Sequence, residues 1–182
     1  MRLLVCEFDV KTGTLCPKCE PLVSSGALSP EDLRAMRELL DAEPQFPQLR
    51  TAEYVKTIRA GGIFFVFLRS HTDLKPVKSR LERHLSSRMA AQVNVVEYTG
   101  SINELLEQLV RPARVTGISR VWLPDGTEQL LVKVDRMSSV TIGVDRVNDV
   151  VKALRGIEVV IEEAGRVSPE APRICGRRRG EP

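Results

Sequence analysis

The sequence predicts an α+β chain built from two small units that repeat one element order, behind a short cysteine-bearing segment. Three observations lead there. The order helix, strand, strand, helix, strand can be read twice along the 182 residues. Aromatic residues are only 4% of the chain, so Val, Leu and Ile must fill the core. The longest apolar run, Ile63-Phe64-Phe65-Val66-Phe67-Leu68, has the length of a buried strand.

The elements follow from local signals. Residues 1–28 are turn-rich and carry Cys6, Cys16 and Cys19. Ser29 is a good N-cap, Pro30 suits the first helical position, and Asp32 can complete a capping box. Leu33, Met36, Leu39 and Leu40 then recur at helical spacing, and Pro44 and Pro47 end the helix. Residues 52–59 and 63–69 read as strands around the turn Gly61-Gly62. Residues 74–88 read as a helix with Leu74, Val77, Leu81 and Leu85 inward, and 93–97 as a third strand. In the second unit Ser101 caps a helix that Pro112 closes, with Glu104 three residues after the cap. Strands are expected at 114–123 and 128–135 around Pro124-Asp125-Gly126. A helix over 145–155 should end at Gly156, followed by a strand over 157–162. From Ala164 onward Pro, Gly and Arg dominate, and a disordered basic tail is expected over 164–182.

The net charge of +3 permits nucleic-acid binding without demanding it. No run approaches the ~18 apolar residues of a membrane span. Glu7, Asp9 and Lys11 interrupt the start of the chain, so a secretory signal is not expected and the cytoplasm is. Cysteines there serve as metal ligands or plain thiols more often than as disulfides.

The spacing Cys6-x2-Asp9-x6-Cys16-x2-Cys19 suggests two knuckles joined by a hairpin through Thr12-Gly13. Such knuckles hold zinc tetrahedrally, here through Cys6, Cys16, Cys19 and Asp9. The alternative is a degenerate knuckle with free thiols or a disulfide; three cysteines are fewer than a closed structural site usually has. Cys175, in the tail, reads as a lone thiol. Lys75, Lys78, Arg80, Arg83 and Arg88 on one helix are either phosphate contacts or a solvated amphipathic face. His71 and His84 read as ordinary surface or core histidines, and Trp122 as core or a partner contact. No Ser-His-Asp set, Cys-His set or Walker motif is present, so an enzyme with a small-molecule substrate is not expected.

The run Asn103-Glu104-Leu105-Leu106-Glu107-Gln108-Leu109-Val110-Arg111-Pro112-Ala113-Arg114-Val115 resembles a helix, Pro-Ala and first strand of a known family. Gln129 to Val134, Ile142-Gly143, Asn148 and Leu154-Arg155-Gly156 continue the likeness. That family is the tandem KH proteins of the NusA type, especially the small archaeal ones, which look as if they carry a comparable N-terminal cysteine knuckle. The resemblance implies two tandem type II KH modules, each αββααβ with helices on one face of a three-stranded sheet. On that reading 1–28 is the cysteine knuckle, 29–99 a degenerate first module and 100–163 the second. It implies RNA binding in transcription elongation or termination, with RNA polymerase or the ribosome as partner. The departure lies in the nucleotide-clamping GxxG loop. The matching residues are Gly143-Val144-Asp145-Arg146 in the second unit and Pro76-Val77-Lys78-Ser79 in the first. Contacts to RNA are therefore expected to be electrostatic, from Lys75, Lys78, Arg80, Arg83, Gly143, Arg146, Lys152, Arg177, Arg178 and Arg179. Other roles that fit are a ribosome-associated protein and a protein–protein adaptor that has lost RNA binding.

Overall fold

A computed structural model describes residues 1–124 and 126–165. Asp125 and the tail with Cys175, Arg177, Arg178 and Arg179 lie outside them. The elements are α1 (Glu7–Thr12), α2 (Glu20–Ser24), α3 (Pro30–Ala42), β1 (Glu53–Ala60), β2 (Ile63–Arg69), α4 (Lys75–Met89) and β3 (Val93–Glu97). The second half holds α5 (Ile102–Val110), β4 (Val115–Trp122), β5 (Glu128–Val134), α6 (Val144–Arg155) and β6 (Glu158–Glu163). The chain is thus α+β with two separate three-stranded sheets, ordered β1-β2-β3 and β4-β5-β6. In each, the first two strands are antiparallel and the third runs parallel to the second. A single three-residue 3-10 turn, Met137–Ser139, stands between β5 and α6, and no helix separates β2 from α4. Each half therefore has one long helix where an αββααβ order has two.

Local chemistry sets the boundaries. Ser29 and Asp32 form the reciprocal capping box at α3, with Pro30 in its first turn. Ser101 Oγ accepts the Glu104 amide at the start of α5. Gly156 closes α6 in the left-handed conformation, which costs glycine nothing. The β1–β2 turn is the two-residue Gly61-Gly62, both at positive φ, with Ala60 opposite Ile63.

The first sheet is buried on both faces. Tyr54, Phe64, Val66, Leu68, Val93 and Val95 face α3 and α4. Ile58, Ile63, Phe65, Phe67 and Val96 face the other way, into a core shared with α5, α6 and the inner side of the second sheet. The expectation of helices on one face only therefore fails for this sheet. Its own helices cover one side, and those of the second half cover the other. The layers run α3/α4, first sheet, α5/α6, second sheet. This explains why β2 is a continuous apolar run: no residue of Ile63–Leu68 faces water.

Two arginines of α6 fasten that packing. Arg155 lies over the Tyr98 ring, 5.3 Å from its centroid, and donates to the Gly100 carbonyl at 3.0 Å. Arg69 covers the same ring at 5.4 Å. At the other end Arg146 donates to the Ile142 carbonyl at 2.9 Å and lies against Gly61, where a Cβ would overlap its side chain. Gly61→Ala should cost about 1–2 kcal/mol, from positive φ plus that overlap. The overlap portion should vanish when Arg146→Ala is added, leaving the φ cost alone. Urea unfolding of the two single variants and the double variant checks this; strictly additive losses would count against the contact.

Candidate metal centre and basic surfaces

Cys6 precedes α1, so Cys6 and Asp9 stand three residues apart on one side of its first turn. Gly13 ends α1 in the left-handed conformation, so a helix stands where a hairpin through Thr12-Gly13 was expected. The chain then returns through Cys16-Pro17-Lys18-Cys19, a tight turn in which the Cys19 and Glu20 amides donate to the Cys16 carbonyl. Those two turns bring one ligand atom each from Cys6, Asp9, Cys16 and Cys19 within 4.8 Å of one another.

The geometry suits a metal ion. The Cys6 sulfur lies 3.6 Å from that of Cys19 and 4.0 Å from that of Cys16. Zinc–sulfur bonds of about 2.3 Å in a tetrahedron place sulfurs about 3.8 Å apart. The Cys6 amide donates to Cys19 Sγ at 3.4 Å and the Cys16 amide to Asp9 Oδ2 at 3.0 Å. Asp9 is only 3% exposed, and hydrogen bonds from the Cys16 thiol and amide and the Cys19 thiol hold its carboxyl below the usual range. The Cys6 amide draws the Cys19 thiol down, but Asp9, burial and the neighbouring thiols outweigh it and push it up to about 12. A divalent cation reverses that balance, because it favours thiolates over thiols.

The expected RNA contacts fall into two groups. Several are already engaged. Lys78 pairs with Glu82 at 3.7 Å, and Lys152 with Glu158 at 2.5 Å. Arg80 lies over the Phe46 ring at 5.9 Å, with His84 edge-on to the same ring. Arg88 bridges Glu38 and Asp41. Arg146 is committed to Ile142 and Gly61. Asp73, one residue before the Leu74 N-cap of α4, accepts the Lys75 amide at 3.0 Å, so a carboxylate stands at the start of that helix. Lys75 and Arg83 are exposed and make no ion pair among the described residues. Gly143, at φ 90, is the N-cap of α6.

Sequence reasoning passed over Arg111, Arg114 and Arg136, all exposed and without an ion pair among the described residues. They gather at one end of the second half. Asp135 Oδ1 accepts the amides of both Arg114 and Arg136, and Thr141 Oγ1, two residues before Gly143, donates to the Arg111 carbonyl. Their signal was present: Arg111 and Arg114 flank Pro112-Ala113, where the chain cannot remain helical. Trp122 is 68% exposed, so it is not core. No helix among the described residues is long and apolar enough to cross a membrane.

No family model matches the chain, and no curated protein does. The fold is similar to the crystal structure of APE1850, with a TM-score of 0.54 and 19% identity over 70% of this chain and 96% of that one.

Proposed function

We propose that this protein is a non-catalytic RNA-binding factor of the NusA-like tandem KH type, stabilised by a structural zinc ion. Its place would be in transcription elongation or termination in the cytoplasm. The observation that carries the reading is the doubled topology: an antiparallel strand pair with a third strand parallel to its second member, in both halves. A 3-10 turn and a glycine N-cap before α6 stand where a KH module places its first helix and nucleotide-clamping loop. The worn loops favour phosphate contacts over base readout. Zinc is the metal that three thiolates and a carboxylate at this spacing suit best. The test is a salt series of fluorescence anisotropy with single-stranded RNA. With three to five phosphates contacted, the slope of log K against log salt should be about −2 to −3.5. Binding that ignores salt would sink this reading, as would no binding at all. Co-purification of RNA polymerase or of ribosomal subunits decides between those partners. A second reading, a protein–protein adaptor, draws support from the engagement of Arg146 on Gly61 and from the Asp73 carboxylate at the start of α4. It would move forward if RNA binding fails.

A further inference from the structure

The two sheets have four edge strands, and three of them are guarded. Along β3 the outward amides of Val93, Val95 and Glu97 donate to Ser86 Oγ, Glu82 Oε1 and Gln108 Oε1 at 2.9, 2.9 and 3.0 Å. Along β1 Asp32 holds the Thr57 amide, and Arg2 exchanges backbone bonds with Ala52 and Tyr54. Asn148 accepts the Val159 amide of β6, which also carries the carboxylates of Glu158, Glu162 and Glu163. Devices of this kind keep an edge from pairing with another chain. β4 has none among the described residues. The Leu123 amide donates to the Thr127 carbonyl, so by antiparallel alternation Gly117, Ser119 and Val121 bond to β5. Ile118, Arg120 and Trp122 then turn their backbone groups outward, where they meet no partner among the described residues. Arg120 is the strand's one charge, and Glu128 of β5 neutralises it at 3.1 Å. Ser119, Arg120, Val121 and Trp122 are all exposed, so no helix overhangs that stretch.

We infer that β4 pairs antiparallel with β4 of a second copy of this chain, about a two-fold axis between the two Ser119 residues. The inference goes beyond RNA binding and does not depend on it. What selects a second copy is that the strand is complementary to itself in this register. Ile118 stands opposite Arg120 of the other copy, whose aliphatic stem covers it. These are the outward-facing positions, so the two symmetric pairs exchange about four backbone hydrogen bonds. On the outer face Val121, 38% exposed, stands opposite Gly117 of the other copy. A Cβ on Gly117 would meet nothing within 4 Å, so the glycine leaves a notch that the valine enters. Trp122, 68% exposed, reaches Ile118 of the other copy along the diagonal. No like charges are opposed. A register centred on Arg120 instead would set two guanidinium groups face to face and leave the notch empty, so the charge pattern picks the Ser119 centre. The product is one six-stranded sheet in which both free edges of the pair are β6, with its carboxylates.

The experiment is sedimentation equilibrium of the full chain without RNA, from about 1 to 300 µM, the range for a small strand-to-strand interface. The wild type should move from the mass of one chain toward that of two. Ser119→Lys and Ser119→Glu each place like charges on the axis and should weaken association about tenfold. An equimolar mixture of the two sets Lys against Glu and should recover the wild-type affinity. Gly117→Val should weaken association as well, because it fills the notch. Unchanged thermal melts at the lowest concentration confirm that each variant folds. A wild type that stays a single chain at the highest concentration overturns the inference. So does association that ignores both charges, or a mixture no tighter than its components, which would place the axis elsewhere. An extended segment of another protein, held by β4 of a wild type that does not self-associate, overturns it as well.

Discussion

Purified protein is expected to carry about one equivalent of zinc, and Cys19→Ser should abolish it and lower the melting temperature. Structural zinc sites yield apparent binding free energies of about 10–16 kcal/mol, and that energy is folding energy because the site does not exist in the unfolded chain. Here it is spent on a segment with little else to hold it: α1 has 6 residues and α2 has 5, lengths at which isolated helices do not persist. Yet Val5, Val10, Cys19 and Leu28 belong to the first core, beside Met36 and Leu39 of α3. Each such side chain gains about 1.5–3 kcal/mol on burial, so release of the segment should remove several kcal/mol. Cys16→Ser should act in the same direction with smaller effect, because it alters a half-exposed ligand without opening the core. Metal analysis and thermal melts with and without a chelator check this. A metal-free protein whose melt ignores both the chelator and Cys19→Ser would leave only a thiol cluster. Asp9→Ala should weaken the site without destroying it if the carboxylate is the fourth ligand.

Asp32→Ala is expected to destabilise the protein by about 3–5 kcal/mol, the range for a buried charge and several charge-assisted hydrogen bonds lost together. Asp32 is 1% exposed. Its Oδ2 accepts from the Ser29 amide and hydroxyl at 2.8 Å each. Its Oδ1 accepts from the Tyr54 hydroxyl at 2.5 Å and the Thr57 amide at 2.7 Å. One carboxylate therefore caps α3, satisfies an outward amide of edge strand β1 and fixes the phenol of a buried tyrosine. Burial and the adjacent Asp32 charge push the Tyr54 hydroxyl well above the usual tyrosine range, so it remains a donor. Truncation takes the acceptor from the buried Thr57 amide, which costs about 1–3 kcal/mol before relaxation, and from the half-buried Ser29 amide and hydroxyl, while the Tyr54 hydroxyl keeps Thr57 Oγ1 at 2.7 Å. Asp32→Asn keeps an acceptor and should recover about half of the loss. Urea midpoints measure the series. A cost below about 1 kcal/mol for Asp32→Ala would mean that the cap alone, and not the knot beneath it, matters.

Much of the secondary structure was legible because single residues carry local signals that tertiary context did not override. Strand β3 spans 93–97 as expected, and the α3 capping box and the Gly156 C-cap fall where Ser29, Asp32 and Gly156 place them. The cysteine spacing likewise brought Cys6, Asp9, Cys16 and Cys19 to one point. What was not legible depends on contacts between distant residues. The Ile63–Leu68 run signalled burial on both faces, but the sequence could not say that α5 and α6 supply the second cover. Arg146 was expected to meet phosphate because it stands in a loop position; its actual neighbour, Gly61, is 85 residues away in the chain. The same holds for Asp32, read as a cap, whose bonds to Tyr54 and Thr57 cross from a helix to a strand. Charge pairing is similarly invisible: Lys78 and Lys152 read as candidate phosphate contacts, and each pairs with a carboxylate of its own chain.

The double-sided first sheet has a consequence for how the chain is made. The ribosome releases Ile63, Phe65 and Phe67 well before the helices that cover them. At about 5–20 residues per second, the stretch from Tyr98 to Arg155 takes about 3–12 s to emerge. For that interval a nascent first half displays an apolar sheet face bearing Phe65 and Phe67 to solvent. Slow codons between β3 and α6 would lengthen the exposure, and chaperones that recognise apolar strands should engage the nascent chain there and leave once α6 docks.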